Sequence, residues 1–281
     1  MFEEIKVCLK VQIIRLYAII ECVLAKDIEY KKILKRIMTH SMHEINYSYI
    51  DSYKKRNNDI YFDDERNLKY VIHNEKKMYF KRSMTEMDIN KYYNNLCLEQ
   101  DVKSPHLYMT EELKGKQYSC VLDVGAAEGN FSLDIIDQAE EVYLFESDSE
   151  WVEALRATFS GWKDKIHIIN AFVSDSDTEE NCTIDTVMTN KEDVDLIKMD
   201  VEGAEVSVIK GATKIIEKFA PILLICTYHY GRQEKDIRAL FDERYTITNR
   251  SGYLVFLSQK KIEKPILRKA VLHIERVGEC E

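Results

Sequence analysis

The fold is decided by residues 118–150, which read YSCVLDVGAAEGNFSLDIIDQAEEVYLFESDSE. An apolar run, Cys120–Val124, carries the acid Asp123 and leads into a loop of glycines and alanines. A helix is predicted next, and a second apolar run, Val142–Phe145, ends at the acid Glu146. Strand, glycine-bearing loop, helix and strand in this order are typical of a nucleotide-binding βαβ unit.

Predicted strands and helices alternate throughout the second half of the chain, which indicates an α/β fold with helices on both faces of a parallel sheet. Five parallel strands are expected at Cys120–Val124, Val142–Phe145, Ile166–Asn170, Leu196–Met199 and Pro221–Thr227. Tyr245–Thr248 and Tyr253–Leu257 follow, separated by the turn Asn249–Gly252. Because they are so close in sequence, we expect these two strands to pair with each other in antiparallel fashion.

The composition is that of a soluble globular protein, with 45% hydrophobic and 32% charged residues in a chain of 281. A formal net charge of −9 argues against a nucleic-acid backbone as the main partner. The seven cysteines are scattered singly, without a CxxC pair, so we predict reduced thiols in a cytoplasmic protein. We expect neither a signal peptide nor an integral membrane segment, because charged residues interrupt the most apolar run, Val7–Ala25.

The chain before the first strand of the sheet is expected to be mostly helical. Apolar residues at steps of three and four predict an amphipathic helix; they are Ile5, Leu9, Ile13, Leu16, Ile20 and Leu24. This helix would dock on the protein or on a second copy, giving a homodimer, or would alternatively lie on a membrane surface. A β-hairpin is predicted at Leu68–Ser83, a helix at Asp88–Glu99 and a loop at Asp101–Tyr108.

Three parts of the chain follow from this pattern. Residues 1–115 are a helical and hairpin region for covering the substrate or for dimerisation. Residues 116–260 form the cofactor-binding domain, and residues 261–281 are a charged tail of unassigned structure.

The loop Asp123–Asn130 has the features of a cofactor site. Gly125 lets the backbone approach a ligand, and Gly129 precedes a helix whose free N–H groups attract a carboxylate. The glycine spacing is GxxxG, whereas a dinucleotide needs GxGxxG for its pyrophosphate. S-adenosylmethionine has a carboxylate and a sulfonium but no pyrophosphate, so it is the predicted cofactor. Its amino group is expected to bind Asp123, directly or through water. The other contacts in this loop are assigned to Gly125, Ala126, Ala127, Glu128, Gly129, Asn130 and Phe131.

The ends of the next two strands complete the predicted cofactor site. Glu146 lies 23 residues after Asp123, at a position from which a carboxylate can bind both ribose hydroxyls. Ser147 follows in the same loop, and the alternative for Glu146 is a surface acid or a helix N-cap. The third strand ends at Asn170 and Ala171, where we expect the edge of the adenine.

The fourth and fifth strands carry the residues predicted to be catalytic. Asp200 and Glu202 follow Leu196–Met199 at the carboxyl end of the sheet, where open α/β sheets bind ligands. Lys198 lies inside that apolar strand and needs a partner, because an unpaired buried charge is costly. It is expected either to pair with Asp200 or Glu202 or to face the pocket. His229 follows the fifth strand and is expected at the same end of the sheet.

Taken together, these segments resemble the FkbM family of S-adenosylmethionine-dependent methyltransferases. The resemblance covers residues 117–258 and rests on Asp123-Val-Gly-Ala, Thr183-Ile-Asp185-Thr-Val, Ile197–Glu205, Ile209-Lys-Gly211-Ala212 and Tyr228-His229. It implies a Rossmann-like class I sheet of seven strands, mostly parallel with one antiparallel strand. It also implies methyl transfer usually to an oxygen, on substrates that include glycan sugars and natural-product scaffolds.

The resemblance also bears on individual residues. The stretch containing Gln100, Ser104 and His106 is similar to one branch of the family, so these residues, with Tyr228 and His229, are assigned to the acceptor. The family often has a small or amide-bearing residue at the position of Glu128. This side chain is expected either to face solvent or to approach the amino group of the methionine.

The predicted reaction is an in-line transfer of a methyl group to a hydroxyl of a sugar or small metabolite. Asp200, Glu202 and His229 are candidates for the base or for positioning the hydroxyl, and Lys198 for holding the oxyanion. A divalent metal on Asp200 and Glu202 is an alternative, but two acids are only a partial site for a hard cation, and no metal is assigned. The rival functions are a non-catalytic module of the same fold and an NAD-dependent oxidoreductase, which the missing GxGxxG disfavours.

Overall fold

The computed structural model describes residues 2–258 and 261–278, with side chains from residue 6 onwards. The chain begins with helices α1 (Phe2–Leu24) and α2 (Ile28–Thr39), followed by a short 3₁₀ helix, Ser48–Ser52. Helix α2 begins at Asp27, whose carboxylate accepts the N–H of Glu29 and caps the helix. Within the described part of the chain, no helix has both the length and the apolar character needed to cross a membrane.

The predicted helix is present as α1, but it docks on the rest of the protein through a face other than the predicted one, and the alternative that the predicted face docks on a second copy stays a prediction. Ile14, Ala18 and Cys22 are buried in a cluster with Ile33 and Ile37 of α2. The predicted apolar stripe is instead exposed, namely Leu9, Ile13, Leu16, Ile20 and Leu24, while the side chain of Ile5 lies outside the described residues. The reason is that α1 is apolar on nearly every side, so its periodicity does not identify the buried face.

A small antiparallel sheet follows, composed of β1 (Tyr61–Asp63), β2 (Leu68–His73) and β3 (Lys76–Tyr79). Strands β2 and β3 confirm the predicted hairpin, and β1 adds a third strand that the sequence pattern did not indicate. Helix α3 (Glu86–Glu99) confirms the predicted helix and starts at a capping box of Thr85 and Asp88.

The remaining elements alternate along the chain as predicted. In order they are α4 (Glu111–Lys114), β4 (Tyr118–Val124), α5 (Asn130–Ile135), β5 (Ala139–Phe145), α6 (Ser149–Thr158), β6 (Ile166–Ile169), β7 (Phe172–Val173), β8 (Asn181–Cys182), α7 (Ile184–Val187), β9 (Leu196–Met199), α8 (Glu205–Lys210), α9 (Thr213–Phe219), β10 (Ile222–Cys226), α10 (Gln233–Arg238), β11 (Tyr245–Asn249), β12 (Leu254–Val255), β13 (Leu267–Arg268) and β14 (Val271–Arg276).

Seven of these strands form one sheet in the order β11-β14-β10-β9-β4-β5-β6. Strands β6, β5, β4, β9 and β10 are parallel, and β14 is antiparallel to both of its neighbours. This confirms the predicted Rossmann-like class I fold. The strand order reverses at β4, because the chain runs to β5 and β6 on one side and to β9 and β10 on the other. Such a switch point opens a ligand-binding crevice at the carboxyl ends of the strands.

The predicted pairing of the last two strands is wrong. β11 pairs with β14, and β12 pairs with β13, so β11 and β12 do not form a hairpin. Residues 271–276 therefore lie inside the main sheet, between β10 and β11. The local turn signal at Asn249–Gly252 favoured a hairpin, whereas the observed partner is a non-local strand that local pattern does not reveal. The division of the chain into three parts remains a prediction, although the sheet clearly extends past residue 260.

Both faces of the sheet are covered by apolar side chains. Cys120, Leu122 and Val124 on β4 belong to one buried cluster, whereas Val121, which lies between Cys120 and Leu122, belongs to the other. This alternation follows from the two-residue period of a strand. A parallel sheet covered on both sides leaves its carboxyl edge as the accessible place for a ligand.

Candidate active site

A cavity of about 680 Å³ lies at the carboxyl ends of the central strands, within the size range of small-molecule sites. Most of the predicted site residues line it: Gln100, His106, Gly125, Ala126, Ala127, Glu128, Asn130, Glu146, Ser147, Ala171, Lys198, Asp200, Glu202, Tyr228 and His229. Five predicted residues are not in its lining: Ser104, Asp123, Gly129, Phe131 and Asn170. The sequence thus located the cavity, and the structure separates the side chains that border it from those that support it.

Gly125 is required by a close contact between two loops. Its φ is +78°, and a Cβ built on it would lie 1.9 Å from the carbonyl oxygen of Asp200. The loop after β4 therefore rests directly on the loop after β9. An L side chain would be strained by the backbone conformation and would also collide with the main chain of Asp200.

The Glu146 carboxylate is held in a fixed orientation at the edge of the cavity. Its Oε2 accepts the N–H of Ala127 at 2.9 Å, and its Oε1 accepts the N–H of Asp148 at 2.8 Å. Ala127 has a positive φ of 45°, an uncommon conformation for a residue with a side chain. Asn170 donates to the carbonyl oxygens of Glu146 and Ser147, so it shapes this loop. The ligand surface next to it is provided by Ala171 and by Phe172, which is 61% exposed.

Asp123 lies beneath the cavity rather than at its surface. It is fully buried, accepts a hydrogen bond from Ser132 Oγ at 2.7 Å and lies 3.0 Å from Lys198 Nζ. The predicted direct contact with the cofactor amino group is therefore not available to Asp123 in this position.

Lys198 has a different partner from the two that were predicted. Besides its ion pair with Asp123, it donates to the carbonyl oxygen of Gly125 at 2.6 Å. Burial alone would lower the pKa of Lys198, but the nearby carboxylates of Asp123 and Asp200 hold this pKa above its usual value. Lys198 is thus a charged cross-strand support for the cofactor loop, because β4 and β9 place Asp123 and Lys198 directly opposite each other.

Glu128 faces the cavity, and the alternative that it faces solvent is excluded. The residue is 3% exposed, and its Oε2 accepts a hydrogen bond of 2.6 Å from Tyr92 Oη on α3. Burial raises the pKa of Glu128, and the Tyr92 bond counteracts this increase. Glu128 is consequently the acid of this loop that can meet a cationic amino group in the cavity.

His229 lies between two carboxylates and is held by its main chain as well. Its Nδ1 is 3.1 Å from Oε1 of the fully buried Glu205, and its Nε2 is 3.4 Å from Oδ1 of Asp200. Gln233 accepts the His229 N–H at 2.7 Å and donates to the other oxygen of Glu205. Burial lowers the pKa of His229, but the contact with Glu205 and the charge of Asp200 outweigh it and raise this pKa above its ordinary value.

Asp200 is the centre of a wider hydrogen-bond network. Tyr108 Oη donates to Asp200 Oδ2 at 2.8 Å. Burial opposes ionisation, but the charges of Lys198 and His229 hold the pKa of Asp200 below its usual value, and the Tyr108 hydrogen bond adds to this effect. The carboxylate therefore remains charged next to His229.

The predicted acceptor residues His106, Gln100 and Tyr228 form a chain of side chains. Gln100 Oε1 accepts the main-chain N–H of Tyr108. Gln100 Nε2 therefore faces His106 Nδ1, at a distance of 3.4 Å. His106 Nδ1 is then the acceptor, and Nε2, which lies 3.2 Å from Tyr228 Oη, carries the proton. Burial lowers the pKa of His106 to about 4, which keeps the ring neutral. Ser104 supports this chain from outside the cavity by accepting the N–H of His106.

Several residues that line the cavity or support it from behind were not predicted to belong to the site. Glu205 and Gln233 hold His229, and Glu44 and Glu99 add two further acids to the lining. Glu205 lies within the motif that was recognised, and its complete burial beside His229 is the feature that distinguishes it from Glu202. Glu202 is exposed, lines the cavity and has a positive φ of 55°, a conformation that carries strain.

Asp200 is also the acid common to two groups of side chains close enough to share one metal ion. One group adds His229 and Glu205, and the other adds His106 and Cys226. Glu202, the second ligand considered from the sequence, is in neither. In the first group, Glu205 already accepts hydrogen bonds on both oxygens, from Val201, Gly203 and Gln233. That arrangement orients a histidine within a hydrogen-bond network.

The strand order and the loop after β4 are those of the class I methyltransferase fold. A family model described as the Methyltransferase FkbM domain matches residues 66–255, more than half of the chain. The chain belongs to the FkbM methyltransferase family, and the family implies a cofactor of the S-adenosylmethionine type. No curated protein matches the sequence.

Solved structures of methyltransferases are similar to this chain at low sequence identity. An FkbM methyltransferase from Methylobacillus flagellatus KT is 19% identical, with a TM-score of 0.46 over 66% of this chain and 52% of that chain. An rRNA methylase from Streptococcus thermophilus is 14% identical, with a TM-score of 0.41 over 58% and 89% of the two chains. A Streptococcus mutans protein described as a methyltransferase in complex with SAH is 15% identical, with a TM-score of 0.37 over 58% and 90%. The present chain thus spans about half of the first of these structures.

Proposed function

We propose that the protein is an S-adenosylmethionine-dependent methyltransferase acting on a hydroxyl group of a small acceptor, such as a glycan sugar or a metabolite. One observation supports it above all others. His229 borders the same cavity as the ordered Glu146 carboxylate, and Glu205 orients the imidazole from behind. A base that is oriented by a buried acid is the arrangement needed to activate a hydroxyl group.

The residues of the cavity fit the proposed cofactor. Glu146, held by two main-chain N–H groups, would bind the ribose hydroxyls, and Glu128 would bind the ammonium group. Ala171 and the exposed ring of Phe172 would contact the adenine. When bound, S-adenosylmethionine supplies an electrophilic methyl group on a sulfonium.

His229 and Asp200 would then act on the acceptor. His229 Nε2 would accept the proton that the acceptor hydroxyl loses as it is methylated, and the neighbouring Asp200 carboxylate would stabilise the resulting imidazolium. Tyr108 fixes the orientation of Asp200 through its hydrogen bond. Lys198 is left out of this mechanism because its ammonium group is already bound by Asp123 and the Gly125 carbonyl oxygen.

Calorimetry with S-adenosylhomocysteine tests the cofactor assignment. Wild type should bind this product, Glu146→Ala should bind it at least tenfold more weakly through loss of a charge-assisted contact, and the exposed control Glu179→Ala should match wild type. Absence of binding by wild type, or equal binding by Glu146→Ala, would refute the assignment. In methyl-transfer assays, His229→Ala should lose turnover while retaining cofactor affinity.

A small acceptor in a cytoplasmic setting agrees with the charge of the molecule. The net charge of −9 would repel an RNA backbone, so we propose no nucleic-acid partner for this chain. The scattered cysteines support a cytoplasmic location.

We also propose a homodimer formed through α1. Five exposed apolar residues of this helix alternate at steps of four and three, namely Leu9, Ile13, Leu16, Ile20 and Val23. This is a heptad pattern with isoleucine at the a positions and mainly leucine at the d positions, a combination that favours a parallel pair of helices. Because the opposite side of α1 is buried on the protein, the stripe is free to meet the same stripe on a second copy.

Sedimentation equilibrium tests the dimer with a charge placed in the stripe. Leu16→Glu should give a monomer, because it would bury an unpaired charge in the helix pair. The control Met87→Glu changes a residue of α3 that is 79% exposed, and it should remain dimeric. A monomeric wild type would contradict the proposal. If those monomers also bind lipid vesicles, the result would favour the alternative in which α1 lies on a membrane surface.

A further inference from the structure

One part of the cavity is acidic beyond what the cofactor requires. We call the acidic half the set of Glu44, Glu99, Asp200 and Glu202, which line the cavity together. Glu44 precedes Ile45, which bridges to β12, and Glu99 is the last residue of α3. Both acids thus come from distant parts of the chain and line the same cavity as Asp200 and His229.

We propose that the acceptor carries a protonated amine, which Glu44 and Glu99 bind while Asp200 and His229 hold the hydroxyl that is methylated. This inference rests on the proposed function, and it narrows the acceptor to hydroxylated amines such as amino sugars or amino alcohols.

The lysines of the cavity lining do not neutralise the acidic half. Lys81 is bound to Asp148 at 2.6 Å, and Lys198 is bound to Asp123 at 3.0 Å. An acceptor with phosphate or carboxylate groups would therefore meet the charged Asp200, the other acids of the acidic half and no available lysine among the described lining residues. Negative charges placed together in this way repel an anionic ligand and attract a cationic one.

The surroundings of the two glutamates suit an organic cation. Tyr228 borders the cavity together with Phe256, whose ring centroid is 5.8 Å from that of Tyr228. Carboxylates combined with aromatic rings bind an ammonium group through charge and through the ring faces. Glu44, Glu99 and Tyr228 also line a small adjoining void, so this surface continues behind the cavity.

A single metal ion fits these acids less well than an ammonium group does. The groups of side chains close enough to share one ion combine Asp200 with His229 and Glu205, or with His106 and Cys226. Neither Glu44 nor Glu99 belongs to them among the described residues. An ammonium group does not need such a set of ligands, because contacts with carboxylates and with aromatic ring faces are enough to bind it.

The raised pKa values of Glu44 and Glu99 agree with a site that lacks a positive charge until a cationic ligand binds. Burial is the main factor that raises the pKa of each carboxyl group. Repulsion adds to it, since Glu44, Asp200 and Glu202 each raise the pKa of Glu99. A bound ammonium group would offset this repulsion and favour both charged forms.

Calorimetry on protein saturated with S-adenosylhomocysteine tests this inference with four matched probes. They are methyl 2-amino-2-deoxyglucoside, its N-acetyl derivative, methyl glucoside and glucose 6-phosphate. The amine should bind at least tenfold more tightly than either neutral sugar, since one charge-assisted contact is worth about 1.5–3 kcal/mol and 1.4 kcal/mol is a factor of ten. The phosphate should bind most weakly.

Near-isosteric variants identify the acids responsible. Glu44→Gln and Glu99→Gln should each reduce the preference for the amine, and the double variant should remove it, whereas the exposed control Glu179→Gln should retain it. Thermal unfolding of each variant verifies that it is folded.

Several results would overturn the inference. They are equal binding of amine and neutral sugars, tighter binding of the phosphate, no binding of the amine, or a preference that survives in the double variant. Binding of Mg²⁺ alone that is lost in Glu44→Gln and Glu99→Gln would instead identify a metal site. Failure of wild type to bind S-adenosylhomocysteine is a separate outcome, because it would refute the proposed function itself.

Discussion

Replacing Glu205 with glutamine should change how the stability of the protein depends on pH. Glu205 is fully buried, and its Oε1 lies 3.1 Å from His229 Nδ1, so solvent screens this contact very little. The raised pKa of His229 means that the folded state binds the proton more tightly than the unfolded state does. The resulting stabilisation is fully present below the unfolded-state pKa of histidine, about 6.5, and is lost as the pH rises through the folded-state pKa.

The size of the effect follows from the contact. A charge-assisted contact of this kind contributes about 1.5–3 kcal/mol, and Glu205→Gln removes the negative charge while nearly preserving the shape. The variant should be less stable than wild type at every pH. The reason is that the –NH2 group of the new glutamine cannot accept the hydrogen bond that Gln233 Nε2 donates to Glu205. The additional loss at about pH 5.5 relative to about pH 9 should be about 1.5–3 kcal/mol.

Urea unfolding of both proteins at the two pH values measures this difference, since other titrating groups cancel in the comparison. Glu234→Gln is the matched control, because it removes a half-exposed carboxylate paired with Arg238 and should cost at most about 1 kcal/mol at either pH. A stability difference between wild type and Glu205→Gln that is the same at both pH values would refute the reasoning, because it would show that Glu205 does not stabilise the protonated form of His229. The acid limb of the pH profile for methyl transfer should also move to lower pH in the variant.

Three further substitutions test the supports of the cofactor site. Gly125→Ala should abolish cofactor binding, since its Cβ would lie 1.9 Å from the Asp200 carbonyl oxygen, and calorimetry that finds wild-type affinity would refute the close contact. Lys198→Met should lower the free energy of unfolding by about 3–5 kcal/mol, because it leaves the buried charge of Asp123 unpaired; denaturant titration measures this, and a loss below about 1 kcal/mol would contradict it. Phe172→Ala should weaken cofactor binding about tenfold through loss of stacking on the adenine, with an unchanged melting temperature, since its ring is 61% exposed. Unchanged affinity would place the adenine elsewhere.

The agreement between prediction and structure is closest where an element is recognised by its own local pattern. Leu196–Met199 was predicted with the bounds that the structure has, because a short apolar strand followed by acids is distinctive. The hairpin of β2 and β3 was equally clear from its turn. By contrast, α1 has apolar residues on several sides, and its buried face depends on where α2 and the chain around Ile266 lie.

Pairings between distant parts of the chain could not be predicted in this way. Strand β14 enters the sheet between β10 and β11, although nothing near residues 271–276 indicates which strands it joins. The partner of Lys198 was missed for the same reason. Asp200 is its neighbour in sequence, but the register of β4 against β9 places Asp123 opposite it.

The sequence by itself determined the class of sheet, the glycine-bearing loop after β4 and the strand ends that carry Glu146, Asp200 and His229, because these features depend on local periodicity and on glycine spacing. Only the tertiary structure decided what each charged group does. It places Asp123 under the cavity, Glu205 behind His229, and Glu44 and Glu99 in the cavity lining. The physical reason is that the role of a buried charge depends on the partners within a few ångströms of it, and in this protein those partners come from distant parts of the chain.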